Sequence, residues 1–299
     1  MYLQHFGLSK APFSLTPNTS FFFGLAPHVE ALQVLHTALT GGEGFIKVVG
    51  EVGTGKTLIC RKLLNDMSHQ FACVYLPNPY LSPQELRWAV ACELGLEYTS
   101  SVDQQQLIQL IQSKLLSLAE QNKRAIIVVD EAQALPDESL EALRLFTNLE
   151  TETSKLVQVV LFGQPELDLR LKQDKFRQLR QRIGFSYQLR ALSRAEVAGY
   201  VEHRLKVAGW RGDKVFDDGR IVTLFKASRG IPRLVNVLCH KAMMLAYGSG
   251  TQRVSAKQLQ MVIDDTEDAQ LSHWSLRLAL PAMALLIAAG YLAWQELML

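Results

Sequence analysis

The chain is poor in cysteine. It has four, Cys60, Cys73, Cys92 and Cys239. No two of them form a CxxC pair, and no nearby histidine completes a metal set. That pattern argues against a disulfide framework and a structural zinc site, and for buried reduced thiols in the cytosol. An excess of one charge is also missing. With 31 basic and 29 acidic residues, the formal net charge is +2. No global field draws the chain to nucleic acid, and a DNA contact would have to be local. The opening MYLQHFGLSKAPF has no basic stretch leading into an apolar run, so a secretory leader is not expected here. Internal repeats and long low-complexity segments are absent as well.

What remains is an ordinary globular composition. The 299 residues are 48% apolar and 20% charged, which suits one to three domains. Residues 1–26 hold two prolines and a triple Phe and read as an irregular arm whose aromatics pack onto the domain behind it. A helix from about His28 to Leu39 follows and stops at Gly41-Gly42. Short apolar runs then alternate with helical patterns. The runs are FIKVV (45–49), FACVYL (71–76), AIIVV (125–129), LVQVVLF (156–162) and FSYQL (185–189). Ser82-Pro83-Gln84-Glu85 is a capping box with Pro at the first helical position, and Gly95 ends that helix. Such alternation predicts a parallel sheet with helices on both faces. After Leu189 the strands stop. Ser193-Arg194-Ala195-Glu196 opens a helix, and further helical patterns at about 218–228, 232–247 and 255–267 complete an all-helical unit. The expected division is an arm (1–26), an α/β domain (27–190) and a helical lid (191–268).

The strongest motif runs Gly50, Glu51, Val52, Gly53, Thr54, Gly55, Lys56, Thr57, with Leu58 beside it. It matches GxxxxGK[ST] in full, directly after a strand and before a helix, which is the context a phosphate-binding loop requires. Gly53 and Gly55 let backbone N–H groups turn toward phosphate oxygens, and the next helix presents its positive end to the same anion. Lys56 can reach the β- and γ-phosphates of ATP, and the Thr57 hydroxyl can ligate Mg²⁺. A second motif, AIIVVDEAQ, ends a buried strand with Asp130, a second holder of Mg²⁺, and Glu131, a candidate general base. The fourth strand ends LFGQPEL. Gln164 there would lie between the two motifs and orient a water, or else serve as a turn residue before Pro165. Arg180 and Arg182 in LRQRIGF, and Arg233 in SRGIPRLVN, are candidates for contacting or sensing the γ-phosphate. Lys175, Arg177, Arg180 and Arg182 could equally form a local patch for DNA phosphates.

GEVGTGKT, VVDEAQ, GQP, LRQR and GIPR, in this order and spacing, resemble AAA+ ATPases of the secretion type, the ExeA/GspA family. The opening FGLSKAPFSLTPNTSFFF resembles the arm that begins those proteins, and the likeness spans roughly residues 1–268. Length and the plain C-terminus look most like members associated with mannose-sensitive haemagglutinin type IV pilus biogenesis. The resemblance implies an α/β P-loop fold with a five-stranded parallel sheet in order 5-1-4-3-2 and a helical lid. It also implies ATP hydrolysis coupled to assembly of an envelope machine. Lys56 and Thr57 then belong to Walker A, and Asp130 and Glu131 to Walker B. Gln164 falls at sensor 1, Arg180 or Arg182 at the arginine finger, and Arg233 at sensor 2. Gln stands where other AAA+ proteins more usually carry Asn or Thr. The implied partners are further copies of the chain, in a ring or an ATP-dependent dimer, and inner-membrane pilus or secretion components. A DNA-handling ATPase, such as a transposition regulator, and a nucleotide-gated scaffold are the alternatives.

The tail weighs against DNA. LALPAMALLIAAGYLAW (278–294) carries no charge over 17 residues. As a helix it spans about 25 Å, and flanking residues extend it toward the roughly 30 Å of a bilayer core. Trp274, Tyr291 and Trp294 sit near its ends, where interfacial aromatics belong, and Arg277 can snorkel. A lid core helix would show a polar face, and this run has none. A single transmembrane helix at 275–295 is therefore expected, anchoring a cytoplasmic ATPase to the bacterial inner membrane. Family members of the ExeA type carry a peptidoglycan-binding domain beyond their membrane segment. Here only QELML follows, so a direct cell-wall role is not expected.

Overall fold

The computed structural model describes residues 2–16, 18–97, 102–150 and 155–269. A short helix α1 (Tyr2–His5) and a 3₁₀ turn at Thr19–Phe21 punctuate the arm, and α2 (Ala26–Thr40) follows. The α/β part then runs β1 (Phe45–Gly50), α3 (Lys56–Met67), β2 (Phe71–Leu76), α4 (Pro83–Glu93), α5 (Gln104–Glu120), β3 (Arg124–Val129), α6 (Asp137–Phe146), β4 (Val157–Gly163), α7 (Pro165–Leu171), α8 (Arg177–Arg182) and β5 (Ile183–Leu189). Four further helices close the described chain: α9 (Arg194–Val207), α10 (Asp218–Ser228), α11 (Pro232–Gly248) and α12 (Ala256–Asp264).

The five strands form one parallel sheet in the order β2-β3-β4-β1-β5, which is the expected order read from the other edge. Period-two alternation sorts its side chains between two helical layers. Ala125, Ile127 and Val129 of β3 join a core with α4, α5, α6 and α7, whereas Ile126 and Val128 join one with α2 and α3. Burial on both faces explains why these strands read as continuous apolar runs.

The connection from β3 returns to the position between β3 and β1. β4 therefore pairs with β1 on one side (Val49 opposite Gly163) and with β3 on the other (Leu161 opposite Val129). The carboxyl ends of β1, β4 and β3 lie side by side, so the segments that follow them, 51–57, 164 and 130–133, share one rim of the sheet.

The arm's aromatics divide between two surfaces: Phe22 packs against the α2/α3 side of the α/β part as expected, but most go elsewhere. Phe6, Phe13, Phe21 and Leu25 are buried in the core of the C-terminal helical unit, with Val197, Tyr200, Val201, Leu224 and Met243. Arg204 of α9 fixes it there. Its guanidinium is buried, donates to the carbonyls of Pro12 and Ser14 and to the Tyr200 hydroxyl, and lies 4.7 Å from the Phe21 ring centroid. Oxygen atoms and ring faces, not a carboxylate, solvate this cation.

Among the described residues no helix is long and apolar enough to cross a membrane. The expected transmembrane helix at 275–295 lies outside them.

The helical unit starts on a double device. The Ser193 hydroxyl accepts from the Glu196 N–H while Glu196 accepts from the Ser193 N–H, and the same carboxylate takes a two-pronged contact from Arg190 at 2.8 and 2.9 Å. The Arg190 hydrogen bonds, against a smaller burial effect, hold the Glu196 carboxyl down at about 2. A depressed carboxyl stabilises the fold above its unfolded pKa and loses that contribution as pH falls through the folded value. Glu196→Gln should therefore destabilise by about 1 kcal/mol at pH 7. The gap to the wild type should shrink between the ordinary carboxylate range and about 2. Urea unfolding of both chains across that window checks it, and a pH-independent gap would contradict the assignment.

Candidate nucleotide site

The loop after β1 is built as the motif requires. Gly53 (φ +84) and Gly55 (φ +103) adopt left-handed backbone, and α3 begins at Lys56. The loop is braced from within and from behind. Thr54 Oγ1 donates to the Glu51 carbonyl at 2.8 Å, and the Lys56 ammonium donates to the carbonyls of Gly50 and Glu51 at 2.8 and 3.0 Å. From α2, His28 Nε2–H donates to the Thr54 carbonyl at 2.9 Å. A carbonyl can only accept, so the proton is on Nε2, and burial, opposed by that bond and the Glu196 charge, keeps the ring's pKa below its ordinary value. Lys56 is lowered by burial too, against the opposing charges of Glu131, Asp130, Glu51 and Glu166.

The loop and the β3 rim meet directly. Thr57 Oγ1 donates to Asp130 Oδ2 at 2.7 Å. Burial raises the Asp130 carboxyl above its ordinary value despite the Thr57 bond, with the neighbouring Glu131 charge adding to the rise. Glu131 goes the other way. Burial pushes its carboxyl up, but hydrogen bonds from Gln164 and Gln133 and the Lys56 charge outweigh that and hold it below the ordinary range. Gln164 Nε2 donates to Glu131 Oε2 at 3.0 Å, from the tip of β4, the strand between β1 and β3.

A cavity of about 320 Å³ opens over the loop. Val52, Gly53, Gly55, Lys56, Thr57 and Leu58 form its floor, with Glu131 at one side. Arg233, in the first turn of α11, forms another wall, and its backbone N–H donates to the Gly53 carbonyl at 3.1 Å. The remaining wall escaped the sequence reading. Ser14, Asn18, Phe21 and Phe23 of the arm line it, with Tyr200, Arg204 and Asn236 of the helical unit. Tyr200 accepts from Arg204 at 2.9 Å and donates to Asn236 Oδ1 at 3.0 Å, a polar chain running from arm to α11.

Arg180 and Arg182 do not line this cavity. Both are exposed on α8, where Arg180 donates to the carbonyls of Leu171 and Lys172 at 3.0 and 2.9 Å, and Arg182 to Thr147 Oγ1 at 3.0 Å.

Known proteins place this geometry. The AAA domain family matches residues 39–171. Over 298 residues, 99% of its length, the chain is 41% identical to the general secretion pathway protein A of Aeromonas hydrophila, of which it spans about half (54%). Among solved structures it is similar to Cdc6p from Pyrobaculum aerophilum, with a TM-score of 0.66 at 17% identity over 84% of this chain and 69% of that one. It is also similar to the Aeropyrum pernix ORC1 protein, solved in complex with DNA, with a TM-score of 0.62 at 19% identity over 86% of this chain and 69% of that one. At such identities the likeness is one of fold alone. Fold and site together define a P-loop nucleotide-binding protein of the AAA class. Within that class the chain is similar over nearly its whole length to general secretion pathway protein A, of the ExeA/GspA family.

The contact of the helical unit with the loop is testable at Gly53. A Cβ there would lie 2.6 Å from Arg233 Cβ and 3.1 Å from the Ile231 side chain, on a backbone with φ +84. Gly53→Ala should lower stability by about 1–3 kcal/mol and weaken nucleotide binding together. Chemical denaturation and titration with a fluorescent ATP analogue read both. Wild-type values for the variant would contradict this packing.

Proposed function

We propose that this chain binds ATP with Mg²⁺ and hydrolyses it, and that turnover drives assembly of a type IV pilus or related secretion machine at the bacterial inner membrane. The observation that carries the hydrolytic reading is the 2.7 Å contact of Thr57 Oγ1 with Asp130 Oδ2, with Glu131 next in the chain. A hydroxyl and a carboxylate at that separation are the hard oxygen donors Mg²⁺ takes when phosphates and waters complete its shell. An Mg²⁺ ion held by Thr57 and Asp130 would supply positive charge to offset that of the phosphates.

The chain's own groups supply the rest. Loop N–H groups and Lys56 hold the phosphates, and Arg233 meets them from the cavity wall. Glu131, kept ionised by its amide neighbours, accepts a proton from water as the water oxygen bonds to the γ-phosphorus. The bond to the β–γ bridging oxygen breaks, and ADP leaves with the electron pair. Gln164 holds Glu131 in place. Arg180 and Arg182, exposed and away from their own cavity, fit as donors to the nucleotide of a neighbouring copy in a ring or an ATP-dependent dimer. The secretion role is supported by the name of the 41%-identical relative. The inner-membrane anchor, with the ATPase on the cytoplasmic side, is supported by the uncharged run at 278–294. The net charge of +2 gives the DNA-handling alternative no support.

Glu131→Gln should reduce ATP turnover at least ~100-fold while leaving ATP binding intact. Unchanged turnover in the purified variant would sink the catalytic assignment. In fractionated cells the full chain should stay with membranes through a high-salt wash and leave only in detergent. Release by salt alone would rule out an integral segment.

A further inference from the structure

Glu131 is held by two side chains, and only one of them stands at a strand tip. Gln133 Nε2 donates to Glu131 Oε2 at 2.7 Å, and Gln164 Nε2 donates to the same oxygen at 3.0 Å. The other end of the Gln133 amide is also engaged, because its Oε1 accepts the Gln164 backbone N–H at 3.0 Å. The Gln133 main chain is anchored in turn, its carbonyl accepting from Arg170 Nη1 of α7 at 2.6 Å. Arg170 pairs with Asp137 at the start of α6. One residue thus ties the acidic motif to the tip of β4 by its side chain and to α7 by its backbone.

Glu131 needs such support. Its φ of +53 is left-handed, a conformation that disfavours a side-chain-bearing residue by about 1–2 kcal/mol. Backbone preference alone does not hold the carboxylate, so its surroundings must. The 3₁₀ turn Ala132–Ala134 that follows brings residue 133 back alongside residue 131. The position also restricts chemistry. It requires a donor and an acceptor on one neutral side chain of glutamine's length. Glutamate lacks the donor, lysine the acceptor and methionine both.

We infer that Gln133 is a positioning residue for hydrolysis. It pins Oε2 of Glu131 jointly with Gln164, which leaves Oε1 to take the proton of the attacking water. The inference rests on the hydrolytic reading above. A carboxylate turned away from its line of approach loses rate without losing substrate, because Gln133 is not among the residues lining the nucleotide cavity.

The test uses the purified full-length chain and four variants: Gln133→Met, Gln164→Met, both together, and Glu131→Gln. Gln133→Met should lower kcat roughly 10- to 100-fold. Its KM, its Kd for a fluorescent ATP analogue and its unfolding midpoint should stay near wild type. Because the two amides act on one oxygen, the double variant should lose much less than the product of the single losses. A wild-type kcat in Gln133→Met overturns the inference, as do strictly multiplicative losses. Loss of nucleotide binding or of cooperative unfolding in Gln133→Met marks a structural role and overturns it too. Glu131→Gln separates the two levels. If it is inactive while Gln133→Met is unimpaired, the hydrolytic reading stands and this inference falls. If Glu131→Gln turns over normally, the hydrolytic reading fails and takes the inference with it.

Discussion

The insertion of β4 between β1 and β3 is the constraint on which the rest depends. In a parallel sheet every strand delivers its carboxyl end to the same rim, so a residue's neighbours there are set by strand order and not by distance in sequence. Here that order brings Thr57, Asp130 and Gln164 together from three separate connections. Swapping β4 to an edge would separate the phosphate loop from the acidic pair by no strand at all and leave no place for the amide that reaches Glu131. The two helical layers enforce the order by burying both faces of the sheet, and they leave open only the rim where the loops emerge.

Charge buried at that rim has to be reconciled with low dielectric, and the structure does so differently for each group. Lys56 rests on loop carbonyls, Asp130 takes a hydroxyl and a backbone N–H, and Glu131 takes two amides. The outcome is a divergence: the two adjacent carboxyls shift in opposite directions, Asp130 up by burial and Glu131 down by its hydrogen bonds. Adjacent acids pushed apart in this way are suited to different tasks, one to sharing a cation and one to exchanging a proton. Arg204 is a third solution, a buried cation satisfied by carbonyls, a hydroxyl and ring faces.

Local pattern made much of this legible. All five strands fall within two residues of the apolar runs, and the capping boxes at Ser82 and Ser193 start α4 and α9 as read. Sheet order is different in kind, since periodicity says nothing about it, and it came from resemblance. The destination of the arm was not legible either. Phenylalanines and prolines say that a segment will pack, but which surface receives it is settled by partners nearly 200 residues away, such as Arg204. Gln133 stood in plain view within DEAQ. Its use depends on a left-handed turn at Glu131 and on a hydrogen bond to residue 164, and neither leaves a local signature. An arginine in the last turn of a helix, such as Arg204, likewise reads as a solvated charge until the arm is seen lying over it.

The cavity joins these threads. Its walls come from the arm, the phosphate loop and α11, segments remote from one another in sequence. The helical unit meets the loop itself through the backbone bond from Arg233 to Gly53, and the arm bridges the two, with Phe6, Phe13 and Phe21 buried in that unit and Phe22 packed against the α2/α3 side of the sheet. A nucleotide held there touches all three at once. Its binding free energy therefore stabilises their mutual arrangement as well as the loop, by the usual logarithm of occupancy. Whatever moves the helical unit relative to the sheet must then change the affinity of the site by the same amount, because coupling between two equilibria is reciprocal.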